Sequence, residues 1–294
     1  MSAAERLTDP VDAVGESPVW RAAESALYWV DIPARRIHRL KTGSGRRDTW
    51  TAPEAVACIA FRGDGTLIAG LESGIFALVL EAGGRVAATR LAAPRFPMGS
   101  MRFNDGRCDR QGRFWVGSME DPVNRAGPKG ALYRFGADHA CLRAVDGLFV
   151  ANGLAFSPDG RTLYHSDSFR EVRTIWAWAL DRDDGVISNR RVFVDTHGMP
   201  GRPDGGAVDT DGCYWMAGND GWEIVRFTPK GAVDRRIALP VAKPSMVAFG
   251  GPELDVIYVT SIRPPSGLED QPMAGSLFAV EARVTGLPEP RFKW

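Results

Sequence analysis

Three oxygen-bearing side chains stand at nearly the same distance in front of three strand-like pentapeptides of this sequence. Glu16 and Asn152 each come ten residues before such a pentapeptide, "ALYWV" and "TLYHS", and Asp204 comes nine residues before "CYWMA". Two carboxylates brought close together repel each other unless a cation lies between them. Carboxylate and carboxamide oxygens without thiolates suit Ca²⁺, Mg²⁺, Mn²⁺ or Fe²⁺. The spacing therefore predicts a divalent metal site, if the fold brings these positions together.

The elements that would position these residues are six repeats along the chain. Each repeat contains a first apolar or alternating run, a tight turn such as "GDG", "SPDG" or "TDG", the pentapeptide, and a third run. The pentapeptides begin at intervals of 40, 47, 49, 51 and 43 residues, at Ala26, Thr66, Arg113, Thr162, Cys213 and Val256. These intervals are close to the length of one four-stranded propeller blade, and helical periodicity is weak throughout.

This pattern predicts an all-β protein, a six-bladed β-propeller that forms a single domain over residues 1–294. The alternative is a β-sandwich with coincidental spacing, but six units exceed what sandwiches usually show. The strand that closes the ring comes either from "RLTDPVDAV" near the N-terminus or from "PEPRFKW" at the C-terminus.

Propeller geometry would bring the three candidate ligands to one rim. The first strand of every blade lines the central channel, so equivalent residues at the start of these strands converge. Asn104 stands in the same register in blade 3, whereas blades 2 and 6 have the apolar residues Val56 and Met246 there. Ordinary turn residues are the alternative interpretation for Asp and Asn. It does not account for Glu16, so a metal site in the central channel is favoured.

Bulk composition excludes several classes of partner. Lys and Arg total 36 and Asp and Glu total 36, so the net charge is zero and neither nucleic acid nor a membrane surface is predicted as a partner. No apolar run is long enough for a signal peptide or a membrane span, which predicts a cytoplasmic enzyme or binding protein. The four separated cysteines form no CxxC pair and are expected to be buried small hydrophobic residues.

Other hydrolytic machinery is not supported by the sequence. No GxSxG motif occurs, and the four histidines form neither HxH nor HExxH. His165 and Asp167 end a pentapeptide run near the rim, where a structural role is the favoured interpretation for the histidine. Trp20, Trp29, Trp115 and Trp215 are expected to pack between blades, while Trp222 either packs or forms a wall of the channel mouth.

Several ordered motifs resemble the SMP-30/gluconolactonase/LRE family, which includes regucalcin and the sugar lactonases. They are "GESPVW" (15–20), "RFNDGRCDRQGRFWVGSM" (102–119), "NGLAFSPDGRTLYHSDS" (152–168), "PDGGAVDTDGCYW" (203–215) and "KPSMVAFGG" (243–251). The resemblance runs from about residue 14 to 282. It implies a six-bladed propeller that holds one divalent metal ion, namely Ca²⁺, Zn²⁺, Mn²⁺, Mg²⁺ or Fe²⁺, and hydrolyses sugar lactones.

The resemblance also assigns roles to particular residues. By matching motif, the family's metal ligands fall on Glu16, Asn152 and Asp204, and its substrate-binding residues fall on Arg102 and Asn104. A carboxylate often follows "GSM" in the family, and Glu120 stands there as a further substrate-binding candidate. The sequence departs from the family at "GESP", "VANGL" and "AKPS", which leaves the role of Ser245 open.

The predicted function is therefore divalent-metal-dependent hydrolysis of a sugar lactone, such as a glucono-, xylono- or arabinono-lactone, to the aldonic acid. The metal would polarise the carbonyl group, and Asp204 would act as general base. The alternative is a non-enzymatic calcium-binding propeller of the regucalcin type. It would use the same ligands, so the sequence alone does not separate the two functions.

Overall fold

Six antiparallel four-stranded sheets form the blades of a closed ring in the computed structural model, which describes residues 4–294. The first strand of each blade contacts the first strand of the next blade, and that of blade 6 contacts that of blade 1. These inner strands therefore surround the central channel. The predicted all-β, six-bladed β-propeller is confirmed. Its description as one domain over residues 1–294 remains a prediction, since residues 1–3 lie outside the described part.

The strands follow one another in simple order within each blade. Strand β1 is Glu5–Arg6, and blade 1 contains β2 to β5 (Gly15–Arg21, Ala26–Asp31, Arg36–Lys41 and Arg46–Thr51). Blade 2 contains β6 to β9 (Val56–Phe61, Leu67–Leu71, Ile75–Leu80 and Val86–Ala92). Blade 3 contains β10 to β13 (Met101–Cys108, Phe114–Glu120, Gly130–Phe135 and Cys141–Leu148).

The other three blades repeat this arrangement. Blade 4 contains β14 to β17 (Ala151–Phe156, Thr162–Asp167, Thr174–Leu180 and Ile187–Asp195). Blade 5 contains β18 to β21 (Arg202–Val208, Tyr214–Asn219, Glu223–Phe227 and Val233–Ala238). Blade 6 contains β22 to β24 (Pro244–Gly250, Val256–Ser261 and Phe278–Glu281). A short 3₁₀ helix, Ala22–Glu24, is the one helical segment within residues 4–294, and no helix there is long and apolar enough to cross a membrane.

The N-terminal segment supplies the strand that closes the ring. Strand β1 pairs antiparallel with β24, with Glu5 opposite Ala279 and Arg6 opposite Phe278, and so becomes the outer strand of blade 6. Blade 6 therefore combines one strand from the N-terminal segment with three strands from the C-terminal part of the chain. Of the two closures that the sequence left open, the structure selects the N-terminal one.

The C-terminal segment instead crosses the end of the channel that carries the tight turns. The amide of Phe292 donates to the carbonyl of Phe61 at 2.8 Å, and Arg107 pairs with Glu289 at 2.9 Å. The Phe292 ring is 1% exposed and belongs to the core of blades 1 to 3. This segment leaves the opposite end of the channel, where the first strands begin, uncovered by the C-terminus.

The core lies between the blades and contains the residues that the sequence placed there. Trp20, Trp29, Trp115 and Trp215 are all buried, as predicted. Among the cysteines, three are buried, and Cys141 is partly exposed. The burial prediction is thus confirmed for Cys58, Cys108 and Cys213.

Every inner strand is irregular near its start. The pairing between the first and second strands shifts register in all six blades, at Glu16/Val19, Val56/Cys58, Phe103/Gly106, Asn152/Ala155, Pro203/Gly206 and Pro244/Val247. A register shift of this kind redirects side chains relative to the ideal pleat. Because it recurs at the same level of each blade, it determines which side chains face the channel mouth.

Candidate active site

The three predicted metal ligands lie at the irregular starts of three inner strands. Glu16 is in β2, Asn152 in β14 and Asp204 in β18, and their exposed fractions are 8%, 4% and 5%. Each of them occupies the register shift of its own blade. The structure therefore places all three at the same level of the channel, buried from bulk water.

The two carboxyl groups share an environment that disfavours their charged forms. Burial raises the pKa of Glu16 well above its usual value, and the negative charges of Asp204 and Asp105 raise it further. Burial also raises the pKa of Asp204, to about 6, against the opposing effects of Asn219 and Arg202. A cation bound between the two groups would therefore stabilise the charged form of both carboxylates.

Asp105 is a third carboxylate in the channel that the sequence interpretation missed. Its Oδ2 accepts a hydrogen bond from the Leu154 amide at 2.8 Å, while Oδ1 is buried without a partner. Burial raises the pKa of Asp105 as well. It follows Asn104 directly, and strict alternation along a strand would turn it to the other face. The register shift between Phe103 and Gly106 removes that alternation.

None of these three carboxylates has a basic side chain of its own. The arginines close to them in sequence pair elsewhere: Arg102 with Asp121 at 2.5 Å, Arg107 with Glu289 at 2.9 Å, and Arg202 with Asp220 at 3.0 Å. The negative charge at this level of the channel is therefore not neutralised by an ion pair within residues 4–294.

Asn152 is held by two neighbouring blades. Its Nδ2 donates to Ser168 Oγ at 2.7 Å, and this hydroxyl donates to the carbonyl of Pro203, next to Asp204, at 2.5 Å. Its Oδ1 accepts from Asn104 Nδ2 at 3.1 Å. The amide is thus oriented with its nitrogen toward Ser168, and its oxygen, which already accepts from Asn104, keeps one lone pair for a further partner.

Asn219 at the end of β19 holds Asp204, and it is a second residue that the sequence interpretation missed. Its Nδ2 donates to Asp204 Oδ2 at 2.6 Å. Among residues 4–294, no donor is bonded to the other oxygen, Oδ1. Asn219 ends the second strand of its blade as Glu120 ends the second strand of blade 3, so this shared position was the available signal.

Two glycines next to these ligands allow the close packing that the site requires. A Cβ atom on Gly205 would lie 2.3 Å from Met246 Cγ, so the inner strands of blades 5 and 6 could not approach as they do. Gly153 has a φ of +65°, and its Cβ would lie 2.6 Å from Tyr214 Oη. The glycines after Asp204 and Asn152 therefore allow close packing around the channel.

Arg102 and Asn104 lie together beside Asn152. Arg102 Nη1 donates to Asn104 Oδ1 at 3.0 Å, and Asn104 Nδ2 also donates to the carbonyl of Ala151 at 3.0 Å. A chain of hydrogen bonds therefore runs from Arg102 through Asn104 to Asn152. The structure thus brings the predicted substrate-binding pair into contact with a predicted metal ligand.

Glu120 lies on the same rim but is not part of this chain. It ends β11 opposite Met101, and its one hydrogen bond is from Ser100 Oγ, at 3.5 Å to Oε1. Its Oε2 is buried without a partner. Arg102 pairs instead with the next residue, Asp121, which the sequence interpretation did not single out.

The remaining rim candidates have structural surroundings. His165 is 2% exposed and stacks on Trp176 and Trp178. Asp167 accepts hydrogen bonds from the amides of Phe149, Val150 and Phe169. These contacts fix the turns around β14 rather than reach the channel.

Ser245 and Trp222 differ in exposure. Ser245 is fully buried, and its hydroxyl donates to the carbonyl of Gly15 at 2.5 Å, which ties blade 6 to blade 1 beside Glu16. Trp222 follows β19 with a φ of +58° and is 40% exposed. Ser245 is thus a packing residue, and Trp222 is not part of the core.

The donor chemistry of the channel fits a hard divalent cation. Within residues 4–294, no three His, Cys, Asp or Glu side chains are grouped to hold a metal ion. The predicted ligand set has only two such residues and a carboxamide. Two buried carboxylates without an ion-pair partner and an amide oxygen form an oxygen-only donor set of the kind that Ca²⁺, Mg²⁺ or Mn²⁺ prefers.

A comparison with known protein families identifies the family of this chain. The sequence profile of the SMP-30/Gluconolactonase/LRE-like region matches residues 14–263. The chain belongs to this family. The resemblance that the motifs from "GESPVW" to "KPSMVAFGG" indicated is therefore confirmed.

Individual members of the family resemble the chain over nearly its whole length. It is 42% identical to the 6-deoxy-6-sulfogluconolactonase of Pseudomonas putida, over 95% of this chain and 94% of that protein. It is 34% identical to the pentonolactonase XacC of Haloferax volcanii, over 97% of both chains. The crystal structure of a calcium-binding protein, regucalcin, from Agrobacterium tumefaciens has a TM-score of 0.92 and 26% identity, covering 100% of this chain and 98% of that one.

Proposed function

We propose that this protein hydrolyses a sugar lactone to the corresponding aldonic acid in a reaction that depends on a divalent metal ion. The observation that carries the proposal is the convergence of Glu16, Asp204 and the Asn152 oxygen at one buried level of the channel. Two relatives of similar length are lactonases by name, which supports a glucono-, xylono- or arabinono-lactone as substrate.

The metal ion would be held by Glu16, Asn152 and Asp204. When bound, it would supply Lewis-acid polarisation of the lactone carbonyl and stabilise the developing negative charge by several kcal/mol. Ca²⁺, Zn²⁺, Mn²⁺, Mg²⁺ and Fe²⁺ are the candidate ions.

Asp204 is the proposed general base. No donor among residues 4–294 is bonded to its Oδ1, so this oxygen can accept a proton from water. Asn219 holds Oδ2, so the orientation of the carboxylate is set before the substrate arrives. Asp204 takes a proton from the water that adds to the carbonyl carbon. The ring carbon–oxygen bond then breaks, and the ring oxygen receives that proton.

Arg102 and Asn104 are the proposed substrate-binding residues, with Glu120 as a third. The Arg102 guanidinium is held by Asp121 on one side and by the Phe103 carbonyl and Asn104 on the other. It is therefore oriented before it donates to the hydroxyl groups of the sugar. The unpartnered Oε2 of Glu120 is suited to accept from a hydroxyl group.

A pH-drift assay on a panel of lactones tests this function. We expect acid release from at least one aldonolactone, complete loss of it with excess chelator, and recovery when a divalent ion is returned. Turnover that persists in chelator would contradict metal dependence. Tight Ca²⁺ binding without hydrolysis of any lactone would favour the non-enzymatic, regucalcin-type alternative.

A further inference from the structure

Three basic side chains surround one carboxylate on the rim of blades 4 to 6. Asp220 Oδ2 lies 3.0 Å from Arg202 Nε and 3.8 Å from Arg170 Nη2, and Oδ1 accepts a hydrogen bond from Lys243 Nζ. Four charged groups of which three are positive leave this part of the rim with a local excess of positive charge. The whole chain has a net charge of zero, so the excess is a local feature.

This basic cluster, defined as Arg170, Arg202 and Lys243, adjoins the proposed reaction site. The Asn219 carboxamide bridges the cluster to Asp204. Its Oδ1 accepts from Arg202 Nη2 at 3.2 Å and from Lys243 Nζ at 3.4 Å, and its Nδ2 donates to Asp204. A hexonolactone with its carbonyl beside Asp204 can therefore extend its far end to the cluster.

Two members of the cluster are less constrained by the protein than the third. Each nitrogen of the Arg202 guanidinium already donates, Nε to Asp220, Nη1 to the Ser168 carbonyl and Nη2 to Asn219, which uses three of its five N–H groups and fixes its position. An ammonium group has three donors, and Lys243 uses two of them. The Arg170 side chain is 72% exposed, and its one ion-pair contact is long. Lys243 and Arg170 are therefore the members that can turn most easily toward a ligand, while Arg202 is fixed by its three hydrogen bonds.

On the opposite side of the channel mouth, acidic side chains outnumber basic ones. There Arg102 is paired with Asp121, and Glu120 lies beside them. Hydroxyl groups suit that side, because a mixed set of donors and acceptors can bind them, while an added negative charge would be repelled. A lactone with one anionic end is therefore oriented by the mouth as a whole.

We propose that the basic cluster is a subsite for an anionic group at the end of the lactone remote from its carbonyl, so that the preferred substrates are sugar lactones carrying a sulfonate, phosphate or carboxylate. This inference rests on the proposed lactonase function and specifies its substrate class. Lys243 and Arg170 contact the anionic group, and Arg202 keeps Asp220 and Asn219 in place.

The test compares a neutral lactone with anionic lactones of the same ring. The probes are glucono-δ-lactone, 6-deoxy-6-sulfogluconolactone, 6-phosphogluconolactone and glucaro-1,4-lactone, assayed by pH drift at low and high NaCl. We expect kcat/KM for at least one anionic probe to exceed that for gluconolactone by about tenfold or more at low salt, with a smaller preference at high salt.

Two single variants and a matched control locate the preference. Arg170→Gln and Lys243→Gln are each expected to lower the anionic-to-neutral ratio of kcat/KM about tenfold, chiefly through KM. Arg170→Gln is the cleaner change, because this exposed residue does not contact Asn219. Arg125→Gln is the control, since Arg125 is an equally exposed arginine paired with one carboxylate, Glu171, at 3.6 Å. It should leave the ratio unchanged.

The outcomes separate this inference from the proposed function. Hydrolysis of gluconolactone without preference for any anionic probe overturns the subsite and leaves the lactonase function standing. A preference that survives in both variants also overturns the subsite. Failure of the wild-type protein to hydrolyse every lactone overturns both.

Discussion

Strand β18 has a buried aspartate near each end, and the two differ in whether a basic side chain neutralises them. Asp209, just after β18 at the end that carries the tight turns, accepts hydrogen bonds at 2.8 Å from Arg226 Nε and Trp215 Nε1. Asp204, near the start of β18, accepts one from the neutral Asn219. One carboxylate is neutralised by the fold, and the other is not.

Blade 3 repeats the contrast. Asp109 accepts from Arg113 Nε at 2.6 Å and from Trp115 Nε1 at 3.0 Å. Asp105, four residues earlier, has an unpartnered Oδ1. A buried carboxylate with an arginine and an indole partner stabilises a blade, whereas one without them is left to bind a proton or a cation. We therefore expect the unneutralised level of the channel to carry the proposed chemistry.

The largest effect is expected from Asp204→Asn. An amide oxygen can still bind a metal ion, but it cannot accept a proton, and general-base catalysis contributes about 10²–10⁴-fold. We expect kcat to fall by at least about 100-fold, with partial retention of metal and a thermal midpoint near that of the wild type. Near-normal turnover would remove Asp204 from the mechanism.

The matching change at the other end, Asp209→Asn, should affect stability instead. It replaces the carboxylate that accepts from Arg226 and Trp215 with a neutral amide. Because Arg226 keeps its pairs with Asp211 and Asp234, the free energy of unfolding should fall by about 1–3 kcal/mol. Chemical denaturation measures this, and kcat per folded molecule should stay near wild type. If Asp209→Asn keeps the wild-type stability but loses activity, the roles assigned to the two ends of β18 would be wrong.

Glu16→Gln and Asn152→Ala sharpen the comparison at the metal end. Even residues that only support a metal ligand typically account for about 10–100-fold in affinity, so each direct ligand should account for at least that much. We expect metal affinity and turnover to fall together in both variants. Wild-type affinity in either one would exclude that residue as a ligand.

Arg102→Ala should have the smallest effect. Loss of a charged hydrogen-bond donor to the sugar should raise KM by roughly tenfold while kcat and bound metal change little. Steady-state kinetics with a metal assay on the same sample separates these quantities. Loss of metal would show that Arg102 instead supports Asn152 through Asn104.

The blade repeat was readable from the sequence because each pentapeptide carries its own strand and turn signals. The same register identified Glu16, Asn152 and Asp204, since equivalent positions of a propeller meet at one level. The closing strand was not readable. Strand β1 has two residues, Glu5 and Arg6, which are too few for any periodic pattern.

Asp105 and Asn219 escaped the sequence interpretation for different physical reasons. Asp105 reaches the channel because a register shift breaks the strand alternation, and single-sequence patterns do not show such shifts. Asn219 ends a second strand, and a polar side chain at that position can either face the channel or accept hydrogen bonds from a nearby turn. Asp31 and Asp167 end their strands too, but they accept hydrogen bonds from backbone amides, of Ala13 and Phe149 among others. Only coordinates distinguish these two uses of one position.

Calorimetric titration of a divalent ion into chelator-treated protein tests the central claim most directly. Because burial raises the pKa of Asp204 from an ordinary 3.8 to about 6, and that of Glu16 well above its usual value, these groups are largely protonated at about pH 5.5 and must release protons when an ion binds. We predict one ion bound per chain, with proton release and weaker affinity at about pH 5.5 than at about pH 8, and no binding at either pH in the Glu16→Gln, Asp204→Asn double variant. Binding that is independent of pH, or that survives in the double variant, would contradict the account.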